Sequence, residues 1–210
     1  MEIQKKIFDR LLILIPGGVF GILSCAIALT GDFISIILFP GGYNFFENMI
    51  SELGRGPSGI FFNLGLIISG IVGIPYYIAL YRSFDKETVN PIVRKSSLIF
   101  ALISIFTFIF VGIFPSIEDK YIIFVTHGTF AFLAFLSGIL YLISFSILML
   151  MGSNVNGDKY SKFIACQGFI VAGTYLLILF TWLPITEWIA TFAIISWIIA
   201  NSIYMIYHKL

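Results

Sequence analysis

The third apolar segment of the chain, residues 95–115, reads KSSLIFALISIFTFIFVGIFP. After Lys95 the segment holds no ionisable side chain, and it ends at Pro115. About 20 residues of α-helix cross the hydrocarbon core of a bilayer, and only a regular helix satisfies its own backbone polar groups there. The segment therefore predicts a transmembrane helix.

Five further segments share this apolar character, at residues 9–31, 59–82, 121–151, 162–183 and 186–208. Of the 210 residues, 59% are hydrophobic and 11% are charged, whereas soluble domains carry about 25% charged residues. We therefore predict an all-α integral membrane bundle of six transmembrane helices, forming a single domain over residues 1–210. The formal net charge of +1 offers no basic surface for nucleic acid, so we expect no nucleic-acid partner.

The basic residues orient the bundle. Of the 12 lysines and arginines, only Arg55 and Lys120 fall on one side of the predicted spans. All the others fall on the opposite side, namely Lys5, Lys6, Arg10, Arg82, Lys86, Arg94, Lys95, Lys159, Lys162 and Lys209. Cytoplasmic loops of membrane proteins carry this excess. We expect a multi-pass protein of the cell membrane with both termini in the cytoplasm.

The N-terminal segment superficially resembles a signal peptide, because basic residues precede the apolar run from Leu11 to Leu29. That run is longer than the roughly 7 to 15 apolar residues of signal peptides, which favours a retained first helix. Cys25 and Cys166 each lie in the middle of an apolar run. Thiols in such places act as small buried hydrophobic groups, so we expect no disulfide.

Small residues recur at four-residue spacing within two of the predicted helices. Gly17 and Gly21 form a GxxxG pair in the first, and Gly65, Ser69 and Gly73 form a stripe in the second. Such spacing lets helix backbones approach closely in lipid. We expect these positions to pack against neighbouring helices.

Two tryptophans bracket the predicted turn between the fifth and sixth helices. Trp182 comes before this turn and Trp188 comes after it. Indole rings favour the interface between membrane and water. Both side chains are therefore expected to act as interfacial anchors.

The longest segment between spans, residues 32–58, is expected on the outer face. Its first part, residues 33–39, is apolar but too short to cross a membrane, which indicates an interfacial or re-entrant stretch. Asn44 followed by Glu47 resembles a capping box, and Gly54 resembles a helix stop.

These signals predict a short amphipathic helix over about residues 45–53, lying flat over the bundle. Its apolar face would carry Phe45, Met49, Ile50 and Leu53. A polar face would carry Asn48, Ser51 and Glu52, with Arg55 just beyond the end of the helix.

His127 is the only ionisable side chain predicted to lie well inside a span. It lies about 9 Å below the outer start of the fourth helix, and intramembrane ionisable residues are functional candidates. Glu52 is the best placed partner, so we predict a hydrogen bond to His127, direct or through a water molecule or Asn63. Such a pair can carry out acid–base chemistry or bind a polar headgroup.

The candidate ligand-binding residues are thus Asn48, Ser51, Glu52, Arg55, Asn63 and His127. A purely structural reading stays open, in which the imidazole and the carboxylate pin the outer loop onto the bundle. No catalytic residue is assigned. His127 and His208 fall on opposite sides of the membrane, so we expect no metal site, and no cofactor motif is present.

Several motifs together resemble a family of prokaryotic six-helix membrane proteins known as domain of unknown function 998. They are NMISELG at residues 48–54, Pro57, FNLG at residues 62–65, GIFP at residues 112–115, and His127 in the next helix. The residues that match are Ser51, Glu52, Gly54, Pro57, Asn63, Pro115 and His127. That family is distantly similar to the eukaryotic Frag, DRAM and Sfk membrane proteins, which are associated with lipid remodelling, lipid distribution and autophagy. The resemblance implies a role involving lipid.

Two function classes follow from the sequence. In the first, the protein binds or acts on a lipid or other amphipathic molecule at the outer leaflet, with membrane lipid as its partner. In the second, it is a non-catalytic scaffold or subunit of a larger membrane complex, and its partner is a membrane protein or a second copy of the chain. Density for an acyl chain or headgroup between the outer loop and helices 2 to 4 would favour the first class. A side-chain-filled bundle with a flat apolar flank occupied by a partner would favour the second.

Overall fold

A computed structural model describes Leu12 and residues 14–84, 89–155 and 160–210 of the chain. Within these residues the structure is helical and contains no strand. The six long helices are α1 (Gly17–Ile37), α2 (Gly59–Ser83), α3 (Pro91–Ile113), α4 (Tyr121–Val155), α5 (Lys162–Thr181) and α6 (Pro184–Tyr207). A short 3₁₀ helix, Ile50–Gly54, lies between α1 and α2.

All six helices are long and apolar enough to cross a membrane, which confirms the predicted fold class. The first helix differs from expectation, since α1 begins at Gly17, after Pro16, and continues to Ile37. The apolar stretch at residues 33–39 therefore consists mostly of the last turns of α1, and the prediction of a separate interfacial segment was wrong. The predicted start at residue 9 lies outside the described residues.

The predicted amphipathic helix over residues 45–53 is replaced by turns and the 3₁₀ helix Ile50–Gly54. Met49 is extended, with φ −70° and ψ 150°, and interrupts any α-helix at this point. Asn48 Oδ1 also accepts a hydrogen bond from the Asn44 backbone N–H at 3.0 Å. Local side-chain hydrogen bonds of this kind compete with helix formation. We call Ile50–Gly54 the cap, because it packs against α1, α2 and α6 at one end of the bundle.

The six helices form a ring. Each helix packs mainly against its neighbours in the sequence, and α6 packs against α1 and closes the ring. We call the end that carries the cap and residues 114–120 the loop end, and the opposite end the basic end.

Small residues make the close helix contacts, as their spacing predicts. A Cβ added at Gly17 would lie 2.1 Å from the Cβ of Ala79, and one added at Gly65 would lie 3.2 Å from the Cα of Gly31. The Ser24 hydroxyl donates a hydrogen bond to the backbone carbonyl of Ser69 at 2.8 Å. These contacts fix α1 against α2 at backbone distance.

Large aromatic side chains fill the ring toward the basic end. Phe84 stacks on Tyr160 with ring centroids 4.5 Å apart, and it also stacks on Phe145. All three rings are buried. The ring is less completely filled toward the loop end, where the candidate site lies.

Candidate functional site

A cavity of about 170 Å³ lies inside the helix ring. One face of each of several helices lines it at helical spacing, for example Glu187, Thr191, Ile194 and Ile198 on α6. At about 1.5 Å per residue, these α6 residues extend about 16 Å along the helix axis. The cavity is therefore long and narrow.

The lining of the cavity changes along its length. The carboxyl groups of Asp32 and Glu187, the imidazole of His127 and the hydroxyl of Ser51 belong to the loop end. Most of the remaining lining is apolar. Further in, tyrosine hydroxyls reappear, and Tyr77 donates a hydrogen bond to the Tyr141 hydroxyl at 3.0 Å.

Glu187 holds the cap in place. It lies in the first turn of α6, is only 7% exposed, and accepts a hydrogen bond from the backbone N–H of Ile50 at 2.8 Å. The backbone N–H of Ser51 is a second nearby donor. A buried carboxylate needs such donors, because burial without them is costly. Glu187 thus ties the cap to a helix that is distant in the sequence.

Asp32 is buried without a partner. It lies on the inner face of α1, lines the cavity and is 4% exposed. Among the described residues, no hydrogen bond or ion pair reaches its carboxyl group. Its oxygens are not among the fully enclosed unpaired polar atoms, so the carboxyl group is open to the cavity. The Asp32 carboxyl group therefore lacks a hydrogen-bond donor and a counter-charge among the described residues.

His127 is engaged by a helix end and not by Glu52. Its Nδ1 lies 2.8 Å from the backbone carbonyl of Phe114, so this nitrogen carries the proton and donates. Phe114 ends α3, and the imidazole satisfies a carbonyl that the helix leaves unpaired. The expected direct hydrogen bond between Glu52 and His127 does not form in the described part of the chain.

Glu52 belongs instead to a network that shapes the loop end. Its Oε2 accepts a hydrogen bond from the side-chain amide of Asn48 at 2.9 Å, and its Oε1 lies 3.8 Å from Arg55 Nη1. Arg55 also donates to the Ser116 carbonyl at 2.5 Å and to Glu118 at 2.9 Å. These bonds join the cap to the loop between α3 and α4, so their role in this structure is to position the cap.

Of the two remaining predicted site residues, one holds the cap and the other lines the cavity. Asn63 donates from its side-chain amide to the Gly54 carbonyl at 3.1 Å and so holds the end of the cap. Ser51 lines the cavity together with His127. The structure therefore brings two of the six predicted residues to the cavity and uses the other four to hold the loop above it.

One expected interfacial anchor is buried. Trp188 is 3% exposed, and its indole N–H donates to the Tyr43 hydroxyl at 2.8 Å, whereas Trp182 is 48% exposed. The prediction for Trp188 was therefore wrong, because the loop after α1 folds over its indole ring.

Burial raises the pKa of Tyr43, and the carboxylate of Glu187 adds to this increase, while the Trp188 hydrogen bond opposes it.

Sequence reasoning missed Asp32 and Glu187 as site residues. Asp32 was assigned to a loop because the first helix was expected to end at residue 31, and Glu187 resembled an ordinary acid near a helix start. An available signal was spacing, since Ser24, Ala28 and Asp32 follow each other at intervals of four residues and so share one face of the helix.

In the described ranges, no group of three or more histidine, cysteine or acidic residues is placed to hold a metal ion. Cys25 is buried and Cys166 is exposed, and both thiols are free. The polar groups at the cavity are thus carboxyl, imidazole and hydroxyl groups that face an apolar interior.

The comparisons with known proteins give one match. A family model described as "Protein of unknown function (DUF998)" matches residues 22–204. The searches of curated proteins and of solved structures find no match. The matched range covers most of the chain and all of the residues that line the cavity. This integral membrane protein with six membrane-spanning helices therefore belongs to the DUF998 family of proteins of unknown function.

Proposed function

We propose that the protein binds an amphipathic molecule inside its helix ring, with the polar head at the loop end and an apolar chain in the cavity. The observation that carries this proposal is the lining of the cavity, which is mostly apolar with carboxyl, imidazole and hydroxyl groups at one end. Ligand sites are typically apolar clefts with a few convergent polar groups.

The size and shape of the cavity suit a chain. A dry cavity of about 150 Å³ inside a protein admits a molecule such as benzene, and the cavity here is about 170 Å³. On α2 the lining extends from Phe62 to Tyr77, which is about 22 Å along the helix axis. A small volume spread over such a length fits an alkyl chain better than a compact ring system.

We place the loop end at the outer leaflet of the cell membrane. The support is the distribution of basic residues, since the loop end carries only Arg55 and Lys120 of the 12. Membrane lipid is then the most abundant amphipathic molecule at hand. A scaffold or subunit role would need no cavity, and the open ring therefore favours binding.

The geometry supports binding more than catalysis. General acid–base chemistry needs a donor or acceptor within reach of the substrate. Here the predicted acid–base pair is absent from the described structure, because His127 Nδ1 donates to the Phe114 carbonyl and Glu52 is bonded to Asn48 and Arg55. The proposal is therefore limited to a binding protein.

The test compares two phenylalanine substitutions on α1. Ala28 lines the cavity, whereas Ala26, half a turn away, is exposed on the outside of the ring. We expect native mass spectrometry of the purified wild type and of Ala26→Phe to show a retained amphipathic molecule. We expect Ala28→Phe to lose the bound molecule, because the phenyl group of the new side chain fills the cavity.

Gel filtration and thermal melting check that both variants are folded. If Ala28→Phe does not fold, Ala131→Leu on α4 narrows the same cavity with a smaller side chain. Equal retention by the cavity-filled and control variants would overturn the proposal, and so would the absence of any bound molecule from every sample.

A further inference from the structure

We infer that the unpartnered carboxyl group of Asp32 is the binding site for a cationic ammonium group at the head of the bound amphipathic molecule. This inference rests on the proposed function and names the chemical class of its ligand. The class covers an alkyl amine and a lipid whose headgroup ends in a primary ammonium.

The first support is the state of Asp32 itself. Its side chain is 4% exposed, lines the cavity and has no hydrogen-bond or ion-pair partner among the described residues. A carboxylate buried without a counter-charge is strongly unfavourable, and an opposite charge with hydrogen-bond donors offsets that penalty. An ammonium group supplies both, because it carries a positive charge and three donors.

Neither basic side chain of the loop end pairs with Asp32 in the described structure, because Lys120 is exposed and Arg55 is engaged elsewhere. Arg55 is committed to the Ser116 carbonyl at 2.5 Å and to Glu118 at 2.9 Å, with Glu52 at 3.8 Å. Nor does Glu187 compensate Asp32, because it is a second carboxyl group at the same end of the cavity. No basic side chain among the described residues therefore pairs with Asp32.

The second support is the charge of the whole loop end. It carries six acidic residues, which are Asp32, Glu47, Glu52, Glu118, Asp119 and Glu187. Against these stand only Arg55 and Lys120, which leaves a formal excess of four negative charges at an end where Asp32 and Glu187 are buried. Surfaces of one sign attract ligands of the opposite sign and disfavour ligands of the same sign. A carboxylate or phosphate monoester head is accordingly disfavoured by repulsion.

Asp32 would hold such a head at the top of the apolar lining. Ala28 and Ser24 follow Asp32 on the inner face of α1, one and two turns further into the ring. A chain attached to the ammonium group would then run along these residues. Asp32 binds the head and takes part in no chemical step.

The test uses three probes with the same eight-carbon chain and different heads, namely octylamine, 1-octanol and octanoate. Binding is measured as a concentration-dependent rise in melting temperature of the protein in a non-ionic detergent. Asp32→Asn keeps the size of the side chain and removes its charge. Asp119→Asn, at an exposed position of the same end, is the matched control.

We expect wild type and Asp119→Asn to bind octylamine more tightly than octanol, and octanol more tightly than octanoate. Asp32→Asn should weaken octylamine binding about 10-fold or more, because a charge-assisted hydrogen bond is lost, and should leave octanol binding unchanged within about twofold. The Asn variant should fold, since Asp32 supports no other residue in the structure.

Two further arms separate the sources of the ammonium group. Lysophosphatidylethanolamine and lysophosphatidylglycerol each carry one acyl chain, and only lysophosphatidylethanolamine carries a primary amine. A preference for the former that Asp32→Asn removes assigns a lipid headgroup, and binding of octylamine without that preference assigns a free alkyl amine.

The inference and the proposed function fail in different ways. If all three eight-carbon probes bind wild type equally, or Asp32→Asn leaves octylamine binding unchanged, the inference is overturned and cavity binding stands. If no probe binds wild type, or Ala28→Phe binds all of them as wild type does, the proposed function itself is overturned.

Discussion

The hydrogen bond between Glu187 and the cap should contribute measurably to the stability of the protein. The Ile50 N–H donates to the Glu187 carboxylate at 2.8 Å, and both residues are buried. Glu187→Ala removes the acceptor and leaves a buried N–H without a partner, which destabilises a protein by about 1–3 kcal/mol. Taking about 2 kcal/mol, the melting temperature should fall by roughly 4–8 °C, since 1 kcal/mol shifts a chain of this size by about 2–4 °C.

Glu187→Gln offers a finer perturbation. The amide oxygen of glutamine can accept the same backbone N–H, so only the extra strength of a charged acceptor is lost. Neutral hydrogen bonds contribute about 0.5–1.5 kcal/mol and charged ones about 1.5–3 kcal/mol. We therefore expect the glutamine variant to melt between wild type and the alanine variant.

The assay combines thermal melting with hydrogen exchange at the Ile50 and Ser51 amides. A loss of about 2 kcal/mol in the free energy that holds the cap folded should speed exchange there by about 30-fold. Glu47→Ala, at an exposed position of the same loop, should change the free energy of unfolding by less than about 0.5 kcal/mol. The reasoning is refuted if Glu187→Ala melts like wild type, or if the glutamine variant falls as far as the alanine variant.

The other predictions concern packing, the loop network and orientation. Gly18→Ala should destabilise the protein by about 1–3 kcal/mol in thermal melting, because the added Cβ would lie 2.3 Å from a backbone oxygen of α6. The same change at Gly173, where nothing lies within 4 Å, should be neutral or stabilising by up to about 1 kcal/mol, and equal effects would contradict the packing. Arg55→Ala should lower the free energy of unfolding by about 1–3 kcal/mol. Glu118→Gln should lower it by at most about 1 kcal/mol, since the bond to Glu118 is exposed. The reverse order in denaturant titrations would contradict the network. A tag after Leu210 should resist impermeant labels in intact cells, and labelling from outside would contradict the orientation.

The membrane spans follow from local sequence because hydropathy is a property of short windows. A stretch such as residues 96–115 has no ionisable side chain and must form a helix in hydrocarbon whatever its neighbours do. The GxxxG spacing of Gly17 and Gly21 likewise marks a face for close packing, and the structure places Ala79 and Ser202 against it. The number of spans, the approximate limits of α2 to α6 and the small-residue contacts could therefore be predicted, whereas the limits of α1 could not.

Helix ends and loop conformation were harder, because they depend on contacts that the local sequence does not specify. Asp32 resembled the start of a loop, yet α1 continues past it to Ile37 because the carboxyl group is buried in the ring and not exposed at a membrane surface. The capping box predicted from Asn44 and Glu47 does not form in the described structure. The Asn44 Oδ1 accepts from the Phe46 N–H, and the Asn44 N–H donates to Asn48.

The site depends on contacts between distant parts of the chain. Glu187 meets Ile50 across 137 positions of sequence, and His127 meets the end of α3 and not Glu52. No periodicity in one segment specifies which helix will close the ring or which backbone groups an acid will reach. Local composition thus set the helices and their faces, whereas the cavity, its cap and the unpartnered Asp32 arise only when the six helices pack, because burial is a property of the assembled ring.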